Sequence, residues 1–94
     1  MQLTKREAEK IFRILGIEPK RNRHHVAGFL IVDGKVILGV HYSFGRGEMP
    51  ANVPEKFRRS LYLSQTEFQE LRRSRMTREQ YIQLLRDKGV IPAS

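Results

Sequence analysis

Val26-Ala27-Gly28-Phe29-Leu30-Ile31-Val32, Asp33-Gly34 and Lys35-Val36-Ile37-Leu38-Gly39-Val40-His41-Tyr42-Ser43-Phe44 follow one another without interruption and read as two strands joined by a tight turn. Asp-Gly between runs of β-branched and aromatic residues is a strong hairpin signal, because a type I′ turn needs positive φ at both central positions. A two-residue turn with no irregularity sets Val32 opposite Lys35, Gly28 opposite Gly39, Val26 opposite His41 and His24 opposite Ser43. Alternation then assigns Ala27, Phe29, Ile31, Val36, Leu38, Val40, Tyr42 and Phe44 to a core face. The open face carries His24, Val26, Gly28, Leu30, Ile37, Gly39, His41 and Ser43. His24 and His41 become diagonal neighbours there, Gly28 and Gly39 clear its middle for close approach of a ligand, and His25 sits at the margin of the core side. A single bulge in the hairpin exchanges the roles of His24 and His25.

Immediately upstream lies Arg21-Asn22-Arg23-His24-His25, which sets imidazoles beside phosphate-attracting charge. Arg21, Arg23 and Arg46 flank the open face and are candidates for charge-assisted, bidentate phosphate contacts, with Ser43 beside them. Arg46 stands in Gly45-Arg46-Gly47, which also reads as a plain turn. His24, His25 and His41 lack the helical spacing of a zinc site, so no metal is expected.

Outside the hairpin, helix start signals dominate. Thr4-x-x-Glu7, Ser64-x-x-Glu67 and Thr77-x-x-Gln80 each match a capping box, in which the hydroxyl and the later carboxylate or amide satisfy orphan backbone N–H groups. The first helix is expected from about Lys5 to Leu15, with Ala8, Ile11, Phe12 and Leu15 on its apolar stripe and Gly16 as its stop. Ile17 to Arg21 is expected as a short edge strand. Pro54 opens a helix carrying Phe57 and Leu61, Ser64 to about Ser74 forms the next, and Thr77 to Lys88 the last, ended by Gly89 and Pro92. Phe57, Phe68, Leu71 and Tyr81 are assigned to the core. Arg58, Arg59, Arg72, Arg73, Arg75 and Arg78 are read as solvated helix faces, with RNA contact as the alternative. The fold class is α+β, a small antiparallel sheet of two to three strands with helices packed on one face.

Ninety-four residues, 39% of them hydrophobic and 30% charged, suit one domain spanning residues 1–94. A net charge of +8 points to an anionic partner, nucleic acid before a membrane surface, or to a generically basic surface. There is no cysteine, hence no disulfide framework and no thiolate chemistry, which fits the cytosol. No apolar run approaches the roughly 18 residues of a membrane span, so membrane insertion and secretion are not expected.

Several stretches together resemble the HicA-type toxins, small ribonucleases of a double-stranded-RNA-binding-like α-β-β-β-α fold. The first helix and its exit, Lys10-Ile11-Phe12-Arg13-Ile14-Leu15-Gly16-Ile17, the histidine strand Arg23-His24-His25-Val26, and the turn Asp33-Gly34-Lys35 carry the likeness. Gly39-Val40-His41 answers the family's Val-Pro-His strand end. The resemblance covers roughly residues 5–63. A longer variant of the family, with a tail like Leu63-Ser64-Gln65-Thr66-Glu67-Phe68 through Leu85, is similar to the whole chain, so that about 64–92 is a C-terminal helical extension. The resemblance implies an mRNA interferase that cleaves single-stranded RNA or mRNA in the cytoplasm without cofactor or metal, one strand histidine transferring protons on the 2′-hydroxyl or the scissile phosphate. The family's key histidine follows Gly-Ser, where this chain has Asn22-Arg23. His24 matches when the pattern is followed without a gap, and His25 when it is read as a histidine before a β-branched residue. His24 is the preferred reading, with His41 as an assistant. A HicB-type antitoxin covering the open face is implied too, and Leu30 and Ile37 are expected to meet that antitoxin or a second copy of the chain.

Two other functions fit the sequence. The first is a non-catalytic RNA-binding module on the same fold, which retains RNA without cutting it. The second is a helix-turn-helix DNA-binding regulator formed by the two helices that start at Ser64 and Thr77, which prefers duplex DNA to RNA.

Overall fold

The computed structural model describes residues 2–43 and 52–92. Phe44 and Arg46 lie outside them. The order is α1 (Lys5–Leu15), β1 (Lys20–Asn22), β2 (His25–Val32), β3 (Lys35–Ser43), α2 (Val53–Ser60), α3 (Gln65–Arg72) and α4 (Arg78–Asp87). The class is α+β, as the sequence indicates. All three capping boxes are formed at the expected residues. Gly16 stops α1 in the left-handed region at φ 69°, and the Ile17 N–H donates to the Phe12 carbonyl at 2.9 Å.

The strands form one antiparallel sheet in the order β1-β2-β3. Asp33 and Gly34 both take positive φ, 52° and 77°, as a type I′ turn requires. Register follows the turn for two pairs, Val32 with Lys35 and Ile31 with Val36, and then breaks. Leu30 pairs with Leu38, so Ile37 is the extra residue of a β-bulge. Past that point every partner differs by one from the uninterrupted register: Phe29 faces Gly39, Ala27 faces His41 and His25 faces Ser43.

The bulge reverses β2 while leaving most of β3 as expected. Leu38, Val40 and Tyr42 are buried, but Val26 (0% exposed) and Leu30 (1%) join them from β2 in place of Ala27, Phe29 and Ile31. Phe29 (51%), Ile31 (52%) and Val36 (62%) stand on the exposed face, contrary to their core assignment, and Ile37 packs partly against the core. Gly28 shows why β2 must face this way. A Cβ there would stand 2.4 Å from Ile17 Cγ2 and 2.9 Å from the Glu18 carbonyl oxygen, so the chain leaving α1 crosses directly over this position. That crossing, followed by Pro19 with no N–H to donate, also delays the edge strand to Lys20–Asn22 instead of Ile17–Arg21.

Helices cover the inner face. Phe12 of α1 meets Tyr42 of β3 edge-on at 5.6 Å between ring centroids, Tyr42 meets Phe57 of α2 at 5.6 Å, and Phe57 meets Phe68 of α3 at 6.1 Å. Tyr81 of α4 is buried and donates to the Leu61 carbonyl at 2.8 Å, and burial holds its hydroxyl far above the usual phenol range. Residues of all four helices, β2 and β3 thus share one core.

Three arginines read as solvated are structural instead. Arg72 donates Nη2 to Glu7 at 2.8 Å and Nε to the same oxygen at 3.1 Å. Arg58 donates to Glu55 and to the Leu63 carbonyl, each at 2.7 Å. Arg78 donates Nε to the Leu15 carbonyl at 3.1 Å and Nη2 to the Ile31 carbonyl at 2.9 Å, tying α4 to the end of α1 and to β2. Each is half-buried, whereas Arg59, Arg73 and Arg75 are exposed. Among the described residues no helix is long and apolar enough to cross a membrane.

Candidate active site on the open sheet face

Directly paired residues of an antiparallel sheet point to one side, so the pairing alone lays out the open face. Asn22, His25 and Ser43 form one cross-strand row, Lys20, Ala27 and His41 the next, then Phe29 and Gly39, then Ile31 and Val36. His25 and His41 are therefore diagonal neighbours, roughly 7 Å apart at Cβ by sheet geometry. This is the place that the uninterrupted register assigns to His24. His24 lies instead with Arg23 in the turn between β1 and β2, where Arg23 takes φ 46°. The bulge at Ile37 makes the exchange of the two neighbouring histidines.

Ser43 is the direct partner of His25, and its Oγ lies 2.9 Å from His25 Nδ1. When Nδ1–H donates to the hydroxyl oxygen, Nε2 carries a lone pair and is a base; once Nε2 has taken a proton, the imidazolium keeps the same Nδ1–H donation and its Nε2–H is an acid. One hydrogen bond thus serves both halves of a proton-transfer cycle. His25 and His41 are both exposed, so ligand protons can reach them. Lys20 puts an ammonium group in the row of His41.

Of the arginines expected here, Arg21 points to the other side. It pairs with Val26 on the inner face and bonds Glu9 of α1 at 3.3 Å. There it rims a groove of about 210 Å³ floored by Phe12, Ile17 and Tyr42. Burial first, then the Glu9 carboxylate, raises the Tyr42 hydroxyl above its ordinary value, with Arg21 working against them. Tyr42 therefore stays neutral beneath the sheet. Arg23 is exposed at the turn, and the position of Arg46 lies outside the described residues. Lys20 and Asn22 were missed in the sequence because a three-residue strand with neither glycine nor proline in its turn announces no register. Among the described residues no three His, Asp or Glu side chains gather as a metal site.

On the alternative DNA-reading surface α3 and α4 are joined by a five-residue turn. Arg73 and Arg75 are exposed there, and Arg72 and Arg78 are held by contacts within the protein, with Glu7 and with main-chain carbonyls. Comparison with known proteins gives no match to a family model, none to a curated protein and none to a solved structure.

Proposed function

We propose that the chain is a metal-independent ribonuclease of the HicA type, an mRNA interferase working in the cytoplasm under the control of a HicB-type antitoxin, with His25 and His41 as its proton-transfer pair. The observation that carries this reading is the contact between His25 and Ser43 at 2.9 Å, with His41 diagonal to it on an exposed face. His25 Nε2 takes the proton of the ribose 2′-hydroxyl as that oxygen attacks phosphorus. The bond from phosphorus to the 5′ oxygen breaks, and protonated His41 gives its proton to the leaving oxygen. The products are a 2′,3′-cyclic phosphate and a 5′-hydroxyl end. Lys20 holds a non-bridging phosphate oxygen.

The test is cleavage of single-stranded RNA in excess EDTA by wild type, His24→Ala, His25→Ala and His41→Ala, each checked for folding. A positioned general acid or base contributes about 10²–10⁴-fold, so His25→Ala and His41→Ala should each lose activity on that scale while His24→Ala keeps it. Loss in His24→Ala alone refutes the assignment. A second reading, the non-catalytic RNA-binding module, is favoured by Asn22-Arg23 standing where the family has Gly-Ser; RNA bound and never cut identifies it.

A further inference from the structure

Next to the histidine rows the open face carries an aromatic ring. Phe29 is half exposed, and its ring rests on Gly39 of the neighbouring strand: a Cβ built at Gly39 would stand 3.2 Å from Phe29 Cε1 and 3.3 Å from Cδ1. The missing side chain lets the ring lie against the strand. It sits one dipeptide along β2 from Ala27, whose row holds Lys20 and His41. That step is about 7 Å, close to the length of one extended nucleotide. No outward position of the three strands carries a carboxylate.

We propose that Phe29 is a base-stacking platform for single-stranded RNA, on which an unpaired base lies while the adjoining phosphate meets Lys20 and His41. The proposal rests on the RNA reading above and needs no cleavage. A ligand for this face must offer a flat apolar surface and, one step away, negative charge; a nucleic-acid strand offers both, and every base has a face to stack. The strand must be single, because paired bases are covered by their neighbours in the helix. A second copy of the chain fits less well, since its own outward strand positions bring no carboxylate to meet Lys20.

The chain has no tryptophan, so Phe29→Trp creates a single indole reporter at the platform. The probe is oligouridylate with 2′-O-methyl riboses, which lacks the attacking hydroxyl and is not cut. Titration should quench the indole as binding saturates. Phe29→Leu, which keeps apolar bulk without a ring, should weaken binding by about five- to hundredfold. An abasic oligomer of the same length should lose a similar factor against wild type and little against Phe29→Leu. Phe29 is exposed, and matching circular-dichroism melts would show both variants folded. Equal affinity of wild type and Phe29→Leu, equal affinity for the abasic strand, or no binding by wild type overturns the platform. Dimeric sedimentation of wild type that becomes monomeric in Phe29→Leu also overturns it and makes the face a contact between copies. Quenching without any RNA cleavage defeats the nuclease reading alone, and cleavage with affinity unchanged in Phe29→Leu defeats the platform alone.

Discussion

Gly28→Ala separates the observed register from the uninterrupted one. On an open face an added methyl meets solvent and steadies the strand, since glycine in a strand interior costs roughly 0.5–1 kcal/mol relative to alanine. In the structure the methyl carbon arrives 2.4 Å from Ile17 Cγ2, 2.9 Å from the Glu18 carbonyl oxygen and 3.1 Å from Phe12 Cε2. Two of these neighbours are buried side chains and the third is main chain, so the segment leaving α1 has to move. Overpacking of this kind costs about 1–3 kcal/mol. The three simultaneous contacts put this site near the upper end, and subtracting the strand gain leaves a net loss of about 2 kcal/mol. At roughly 4–8 °C per kcal/mol for a domain of this size, Tm should fall by about 8–16 °C. Urea unfolding followed by circular dichroism measures the difference, with Gly39→Ala as the comparison. There, among the described residues, the close atoms belong to the exposed Phe29 ring, which can pivot, so that variant should stay within about 1 kcal/mol of wild type. A Gly28→Ala protein as stable as wild type, or one less perturbed than Gly39→Ala, refutes both the bulge at Ile37 and the face assignment of β2.

Arg78→Met should destabilise by about 1–3 kcal/mol in urea titrations, because the Leu15 and Ile31 carbonyls lose their donors; an unchanged midpoint would show that water replaces the guanidinium without cost. At Glu7, burial pushes the carboxyl upward, but the Thr4 N–H and Arg72 outweigh it and hold the group below its ordinary 4.5. A depressed folded-state pKa contributes stability that is present above 4.5 and is lost as pH falls through the lower folded value. Glu7→Gln should therefore be less stable than wild type at neutral pH and approach it in acid, as read from denaturation midpoints across that range; a constant gap at every pH would contradict the linkage.

Local chemistry was legible where one residue type answers one geometric demand. Asp33-Gly34 identified the turn, the three capping boxes identified three helix starts, and Ala8, Ile11, Phe12 and Leu15 identified the buried stripe of α1. The face of β2 was not legible, because both of its alternating sets are apolar: Val26, Leu30 and Val32 on one side, Ala27, Phe29 and Ile31 on the other. Hydrophobic period cannot choose between them, and the choice falls to Ile17 pressing on Gly28, a contact between residues eleven positions apart. The candidate site inherits the same ambiguity, since one extra residue at position 37 decides which histidine of the doublet meets Ser43. The engaged arginines escaped for a related reason. A charged residue on a helix reads as solvated until the carbonyl it satisfies is known, and the Leu15 carbonyl lies sixty-three positions before Arg78.

That last contact has a consequence for how the chain assembles. Asp33-Gly34 and the hairpin around it are short-range structure, available as soon as residues 25–43 are free to pair. The end of α1 and the backbone at Ile31 wait for residue 78 to arrive before their carbonyls gain a donor. During synthesis the sheet with its histidine rows can form while its support is still incomplete, and the C-terminal helices then lock an arrangement already made. Arg78 therefore acts as a late clasp on Leu15 and Ile31, and a chain cut short before it would retain its histidines on a sheet backed by α1 and α2 but lacking that tie.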